Sequence, residues 1–98
     1  MNVKIQSVKF DANQKLIDFI NAKVNKLERF IDEAVGAEVF LKLDKDNERG
    51  NKVATVRLEV PGDDLVADAR SKSFEESVDE CVDALKKQLE KYKGRYAK

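Results

Sequence analysis

The residues of this chain best suited to do chemistry are ammonium groups, and they gather at one end. DALKKQLEKYKGRYAK, residues 83–98, holds Lys86, Lys87, Lys91, Lys93, Arg95 and Lys98 against Asp83 and Glu90, a net charge of +4. The whole chain is neutral, with 19 basic and 19 acidic residues, so residues 1–82 carry 13 basic against 17 acidic, a net of −4. Clustered lysine and arginine form the electrostatic footprint of phosphate binding. The same charge has a plainer use. Ammonium groups near a helix C-terminus offset the macrodipole, and Glu75, Glu76, Asp79 and Glu80 sit where the opposite end calls for carboxylates. The dipole accounts for the last turn. It accounts less well for basic character that continues past Gly94 to Arg95 and Lys98.

Other chemistry is thinly represented. The chain has no histidine, which removes the Ser/His and Cys/His nucleophile arrangements. Its single cysteine, Cys81, falls in an apolar stripe and reads as a small buried hydrophobe, because a reactive thiolate needs an electropositive, accessible setting. Asp44, Asp46 and Glu48 alternate within DKDNERG, but the twelve-residue calcium loop with its glycine at position six is absent, so the stretch reads as a solvated turn. Asp63 and Asp64 after Pro61-Gly62 read the same way. Tyr92 continues the apolar stripe, and Tyr96 lies past the expected helix end. There is no glycine-rich phosphate loop and no CxxC pair. An enzyme, a cofactor, a bound metal and a small-molecule substrate are therefore not expected.

The elements that position the lysines follow from periodicity. Residues 2–8 alternate, with Val3 and Ile5 on one face, and predict a strand. Asp11 or Asn13 is placed to cap a helix. Ile17, Ile20, Val24, Leu27 and Ile31 recur at spacings of three and four, with Leu16 widening the stripe, and Gly36 follows the helix. Residues 37–45 alternate through Val39, Leu41 and Leu43, and residues 52–60 through Ala54, Val56, Leu58 and Val60. The turn 61–64 leads to a third alternation over 65–71. Ser73 and Glu76 form a capping-box pattern. Phe74, Val78, Cys81, Val82, Leu85, Leu89 and Tyr92 then line one face of a helix reaching about Lys93. The order β-α-β-β-β-α predicts an α+β fold: a two-layer α/β sandwich, its four-stranded mixed sheet carrying both helices on one face.

The 98 residues, 42% hydrophobic and 39% charged, suit a single domain, 1–98, with one modest core. One cysteine excludes an internal disulfide. MNVKIQSVKF has no apolar h-region, and no apolar run is long enough to span a membrane. A reduced cytoplasmic protein with no membrane contact is expected.

On a helical wheel, Lys87, Lys91 and Arg95 line one flank of the second helix's stripe, and Lys86 and Lys93 line the other. Lys23 lies at the margin of the first helix's stripe, with Lys26 further round. If the helices lie side by side, Lys23 and Lys26 could join Lys87 and Lys91 in one basic surface. Ordinary solvated helix charge, with Asp18 and Glu28 interleaved, is the competing reading.

Two stretches, AKVNKLERFID (22–32) and VDALKKQLEKYKGR (82–95), resemble the ribosome hibernation-promoting factor family, also called ribosome-associated inhibitors or sigma-54 modulation proteins. Ala22, Lys23, Lys26, Leu27 and Glu28 match that family's first-helix motif. Asp83, Leu85, Gln88, Leu89, Lys91 and Lys93 match its second-helix motif. Ala84 stands where the family usually has lysine, with Lys86 two residues on. Lys87 stands in place of arginine, keeping charge but not bidentate geometry.

The resemblance implies a short-form member without the C-terminal dimerisation domain, monomeric off the ribosome. It implies binding to the small ribosomal subunit at the decoding centre, where occupancy blocks mRNA and tRNA during starvation or stationary phase. The implied rRNA-binding residues are Lys23, Lys26, Lys86, Lys87, Lys91, Lys93 and Arg95. The alternative is a protein-interaction module, a transcription (sigma factor) modulator acting through an exposed sheet edge near residues 65–70.

Overall fold

The computed structural model describes residues 1–30, 36–45 and 50–96, with side chains up to residue 92. The elements are β1 (Asn2–Val8), α1 (Gln14–Asn25), a 3-10 segment (Lys26–Phe30), β2 (Gly36–Leu43), β3 (Lys52–Val60), β4 (Asp63–Ser71) and α2 (Phe74–Tyr96). The expected β-α-β-β-β-α order is present. The sheet order is β1-β2-β3-β4, with the first pair parallel and the other two antiparallel.

Because side chains alternate along a strand, the register lines up whole rows. Val3, Ala37, Leu58 and Leu65 form one row; Ile5, Val39, Val56 and Ala67 form the next. These rows face the helices, and Leu16, Ile20, Val24, Leu27 and the α2 stripe from Phe74 to Tyr92 bury against them. The opposite face presents Lys4, Glu38, Arg57 and Val66 in register, then Gln6, Phe40, Thr55 and Asp68. Both helices therefore cover one face, as the patterning predicts.

Four local features depart from the sequence expectation. The first helix does not continue as α-helix to Ile31. At Lys26 the backbone N–H is shared between the Lys23 and Val24 carbonyls, and the chain tightens to i→i+3 winding. That winding stacks residues three apart, which aims both Leu27 and Phe30 at the core; Ile31 lies outside the described residues. Leu43, expected on the core face, is 42% exposed, because β1 ends opposite Lys42 and leaves it flanked by a strand on the β3 side alone. The turn between β3 and β4 is two residues, Pro61 and Gly62, with Val60 already paired to Asp63. Proline presets φ at the first position and Gly62 takes φ 81 at the second. Finally, α2 runs through Gly94 to Tyr96 rather than stopping near Lys93.

Caps fix where each helix starts. Asn13, not Asp11, caps α1, its side chain accepting from the Leu16 N–H at 2.9 Å. Ser73 Oγ accepts from the Glu76 N–H at 3.1 Å. A hydroxyl cluster lies behind this cap. Ser71 Oγ and Ser77 Oγ are 2.8 Å apart, Ser77 Oγ is 2.6 Å from the Lys52 carbonyl, and Ser71 Oγ is 2.6 Å from the Ser73 carbonyl. Gly50 closes the same corner. At φ 92, a Cβ there would sit 2.2 Å from the Ser71 backbone, so only glycine fits.

Candidate nucleic-acid interface

The helical layer carries Lys23, Lys26, Lys86, Lys87, Lys91, Lys93 and Arg95, and packing sorts those whose side chains are described into two groups. Lys23 on α1 reaches across to α2. Its Nζ lies 3.0 Å from Asp79 Oδ1 and 5.7 Å from the centre of the Phe19 ring. Lys86 Nζ lies 5.7 Å from the Phe30 ring centre and 3.9 Å from Asp83 Oδ1. Asp79 and Lys86 are seven residues apart, two turns of one face. That face looks toward α1 and the 3-10 segment. Lys23 and Lys86 thus belong to the seam between the helices, where aromatic rings and α2 carboxylates hold them.

Lys87 and Lys91 form the second group. Lys87 lies about 100° round the helix from Lys86 and is exposed. Lys91 is exposed one turn further on and lines a shallow hollow with Asp63, Asp64, Leu65, Gln88 and Tyr92. Neither makes an ion pair with a described residue, and nor does Lys26, exposed at the end of α1. The α2 flank that meets α1 therefore carries Lys86, not Lys87 and Lys91. The basic groups spread from the seam across the outer face of α2 toward β4 instead of forming one line along α1. Lys93 and Arg95 lie on the last turns of α2 with side chains outside those described, and Lys98 lies outside the described residues.

Two long side chains hold this half of α2 on the sheet. Gln88 Nε2 donates to the Val66 carbonyl at 2.8 Å, and Tyr92 OH donates to the Pro61 carbonyl at 2.6 Å. Tyr92 is thus a buried anchor and not a surface for stacking bases. β4 is an edge strand, as the sheet-edge reading needs, but Gln88 already occupies one of its carbonyls. Sequence periodicity gave no sign of this latch, since glutamine beside an apolar stripe reads as solvated.

The other titratable groups do not form a reactive site. Burial pushes the Cys81 thiol up to about 12, and its Sγ faces the Ala54 and Ala67 carbonyls at 3.4 and 3.5 Å. It stays a neutral thiol at ordinary pH. Asp44 pairs with Arg70, while Asp46 and Glu48 lie outside the described residues. On the open sheet face, Arg57 pairs with Asp64 at 2.8 Å, which raises its guanidinium further above its usual value.

The fold is a two-layer α+β sandwich with Lys87 and Lys91 exposed on the outer face of α2. The comparisons make the class specific. A match to the family described as sigma 54 modulation protein / S30EA ribosomal protein spans residues 3–97, and the chain belongs to that family. Its relatives include ribosome hibernation promotion factor of Deinococcus radiodurans, 31% identical over 90% of this chain and 47% of that protein. Ribosome hibernation promoting factors of Pseudomonas putida and Escherichia coli K12 are each 27% identical over 97% of this chain, and over 89% and 96% of their own lengths. The chain therefore spans about half of the Deinococcus relative and most of the other two. Two solved structures share the fold. A ribosomal subunit interface protein from Coxiella burnetii has a TM-score of 0.85 at 22% identity over 96% of this chain and 99% of its own. The N-terminal domain of Thermus thermophilus Protein Y has a TM-score of 0.80 at 22% identity over 94% and 99%.

Proposed function

We propose that this chain is a ribosome hibernation factor. In this reading it works in the cytoplasm, binds the small ribosomal subunit at the decoding centre, and excludes mRNA and tRNA by occupying their channel. Membership of a family whose relatives carry that name supports the partner. The observation that carries the proposed contact surface is the exposure of Lys87 and Lys91 on a helix latched to the sheet by Gln88 and Tyr92.

Inhibition of this kind needs no bond to form or break. A compact wedge held by phosphates blocks the channel simply by filling it. Phosphate contacts position a protein without reading sequence, so recognition rests on the shape of folded rRNA. Lys26, Lys87 and Lys91 stand ready for phosphate. Lys23 and Lys86 must exchange or share their carboxylate and aromatic partners, which discounts their contribution. Lys93 and Arg95 extend the same helix. The net −4 of residues 1–82 repels RNA elsewhere and orients approach.

Cosedimentation with purified small subunits tests this reading. Lys87→Glu combined with Lys91→Glu leaves the core untouched. It should weaken binding about 100-fold, since reversing two contacts replaces attraction with repulsion. For wild type, log K should fall with log salt at about −0.7 to −0.9 per phosphate contact, and the variant's slope should be shallower by about two contacts. A folded variant that sediments with subunits as wild type does overturns the assignment.

A further inference from the structure

Both helices lie on one side of the sheet, and one residue on the open side breaks the pattern of its kind. Among the described aromatic side chains, Phe10, Phe19, Phe30, Phe74 and Tyr92 lie in or against the core, and Phe40 alone does not. Phe40 sits on β2, a central strand, between Val39 and Leu41, whose side chains point to the opposite face. Cross-strand pairing sets Gln6 on one side of it and Thr55 on the other. Phe40 is half-buried there, and core packing gives no reason for an aromatic ring at this position.

The charges around Phe40 are arranged with it. Lys4 stands opposite Glu38, two residues before Phe40, and Lys42 stands two residues after it. The two lysines therefore bracket the ring along about 13 Å of sheet. Both are exposed, and neither makes an ion pair with a described residue. The carboxylates beside them on this face are engaged by arginines from β3 and β4. Glu38 lies 3.9 Å from Arg57, which also holds Asp64 at 2.8 Å. Asp44, two residues beyond Lys42, accepts from the Lys45 backbone N–H at 2.6 Å and pairs with Arg70. Glu59 and Asp68 stand on β3 and β4, off the line from Lys4 to Lys42. An aromatic ring between two such ammonium groups, with an amide and a hydroxyl at its sides, has a definite complement: a stacked base with a phosphate before and after it.

We propose that the open sheet face binds a single-stranded polynucleotide, with one base stacked on Phe40 and its flanking phosphates against Lys4 and Lys42. Gln6 and Thr55 are placed to hydrogen-bond the edge of that base. The face favours a polynucleotide over an acidic peptide. A peptide anchor needs a pocket that closes around an apolar side chain, whereas a base needs a level surface with a ring at its centre, which is what the central strands provide. The site uses none of the residues assigned to the ribosome, so it stands whether or not that assignment does.

Nuclear magnetic resonance titration of the ¹⁵N-labelled full chain tests the proposal, with octauridylate as the probe. To separate this face from α2, wild type is compared with the double variant Lys87→Glu and Lys91→Glu. Octauridylate should shift the amides of residues 4–6, 39–42 and 54–56 in both. Phe40→Leu keeps the apolar bulk but loses the aromatic face, and should weaken octauridylate about fivefold or more. Inorganic tripolyphosphate, which has the charge without the base, should bind Phe40→Leu and wild type alike. Lys4→Gln with Lys42→Gln should make the salt dependence shallower by about two contacts, at about 0.7 each. No shift on this face at millimolar octauridylate, shifts there that vanish in the α2 variant, a salt dependence unmoved by the lysine changes, or unchanged binding by Phe40→Leu would each overturn the proposal. An equal loss of tripolyphosphate binding in Phe40→Leu would overturn it too, since the ring would then act by holding the lysines and not by stacking. So would hexaglutamate binding at these amides as tightly as octauridylate, which would make the face a site for acidic protein segments.

Discussion

The two halves of α2 are built on opposite plans. Phe74 to Asp83 carries five carboxylates and no basic residue; Ala84 to Tyr96 carries five basic residues and one carboxylate. The first half is tied down by small groups close at hand: the Ser73 cap, the Ser71–Ser77 hydroxyls and the Cys81 thiol against two strand carbonyls. The second half is tied down by long side chains that reach back to the sheet, Gln88 to Val66 and Tyr92 to Pro61.

The macrodipole accounts for the sign of each half. It does not account for what the charges touch. The acidic half takes up Lys23 from α1, whereas Lys87 and Lys91 make no ion pair with a described residue. One helix thus holds lysine-paired carboxylates, Asp79 and Asp83, in its first half and open lysines in its second. The difference shows that a lysine's position in a motif does not by itself decide whether it can meet a phosphate.

If the basic half depends mainly on core burial, Leu89→Ala should have the largest effect. Leu89 is 1% exposed, and such truncations cost about 2–5 kcal/mol. Thermal unfolding would read the loss, and amide exchange should rise first around Gln88 to Tyr92. An equal rise around Ser73 to Ser77 would show that the halves do not loosen separately.

The next effect concerns pH and belongs to the acidic half. The Cys81 thiol titrates near 12 when folded, against 9.0 for its ordinary value. The folded state therefore holds its proton where the unfolded state has lost it. This contribution is fully present below pH 9 and is lost as pH rises toward 12, at up to about 1.4 kcal/mol per pH unit. Urea midpoints measured across that window should fall more steeply for wild type than for Cys81→Val. Parallel curves would remove this distinction between the halves.

The smallest change is Ser73→Ala, which removes the side-chain cap. A loss of about 1 kcal/mol is expected, with the proposed binding to small subunits unchanged because Lys87 lies more than three turns away. A drop in binding would mean that the halves are coupled.

Much of this was legible in the residues themselves. The stripe from Phe74 to Tyr92, the alternations through Val39, Val56 and Ala67, and the Ser73 cap all emerged as expected, since period, capping and turn chemistry act over a few neighbouring residues. The two helix motifs were enough to identify the family, because they are contiguous. The Gln88 latch, the burial of Ser77 and the exposure of Leu43 were not legible. Each depends on a partner 22 to 25 residues away or on where a neighbouring strand stops.

The sequence by itself determined the order of the elements, the buried face of each and the gathering of ammonium groups on the end of α2. Local backbone preference and hydrophobic period specify all three. Only the tertiary structure decided which flank of α2 meets α1. That choice set Lys23 against Asp79 and Lys86 against Phe30 and left Lys87 and Lys91 open. A helical wheel fixes angles within one helix, whereas the angle between two helices is set by how both side-chain surfaces settle onto the same sheet.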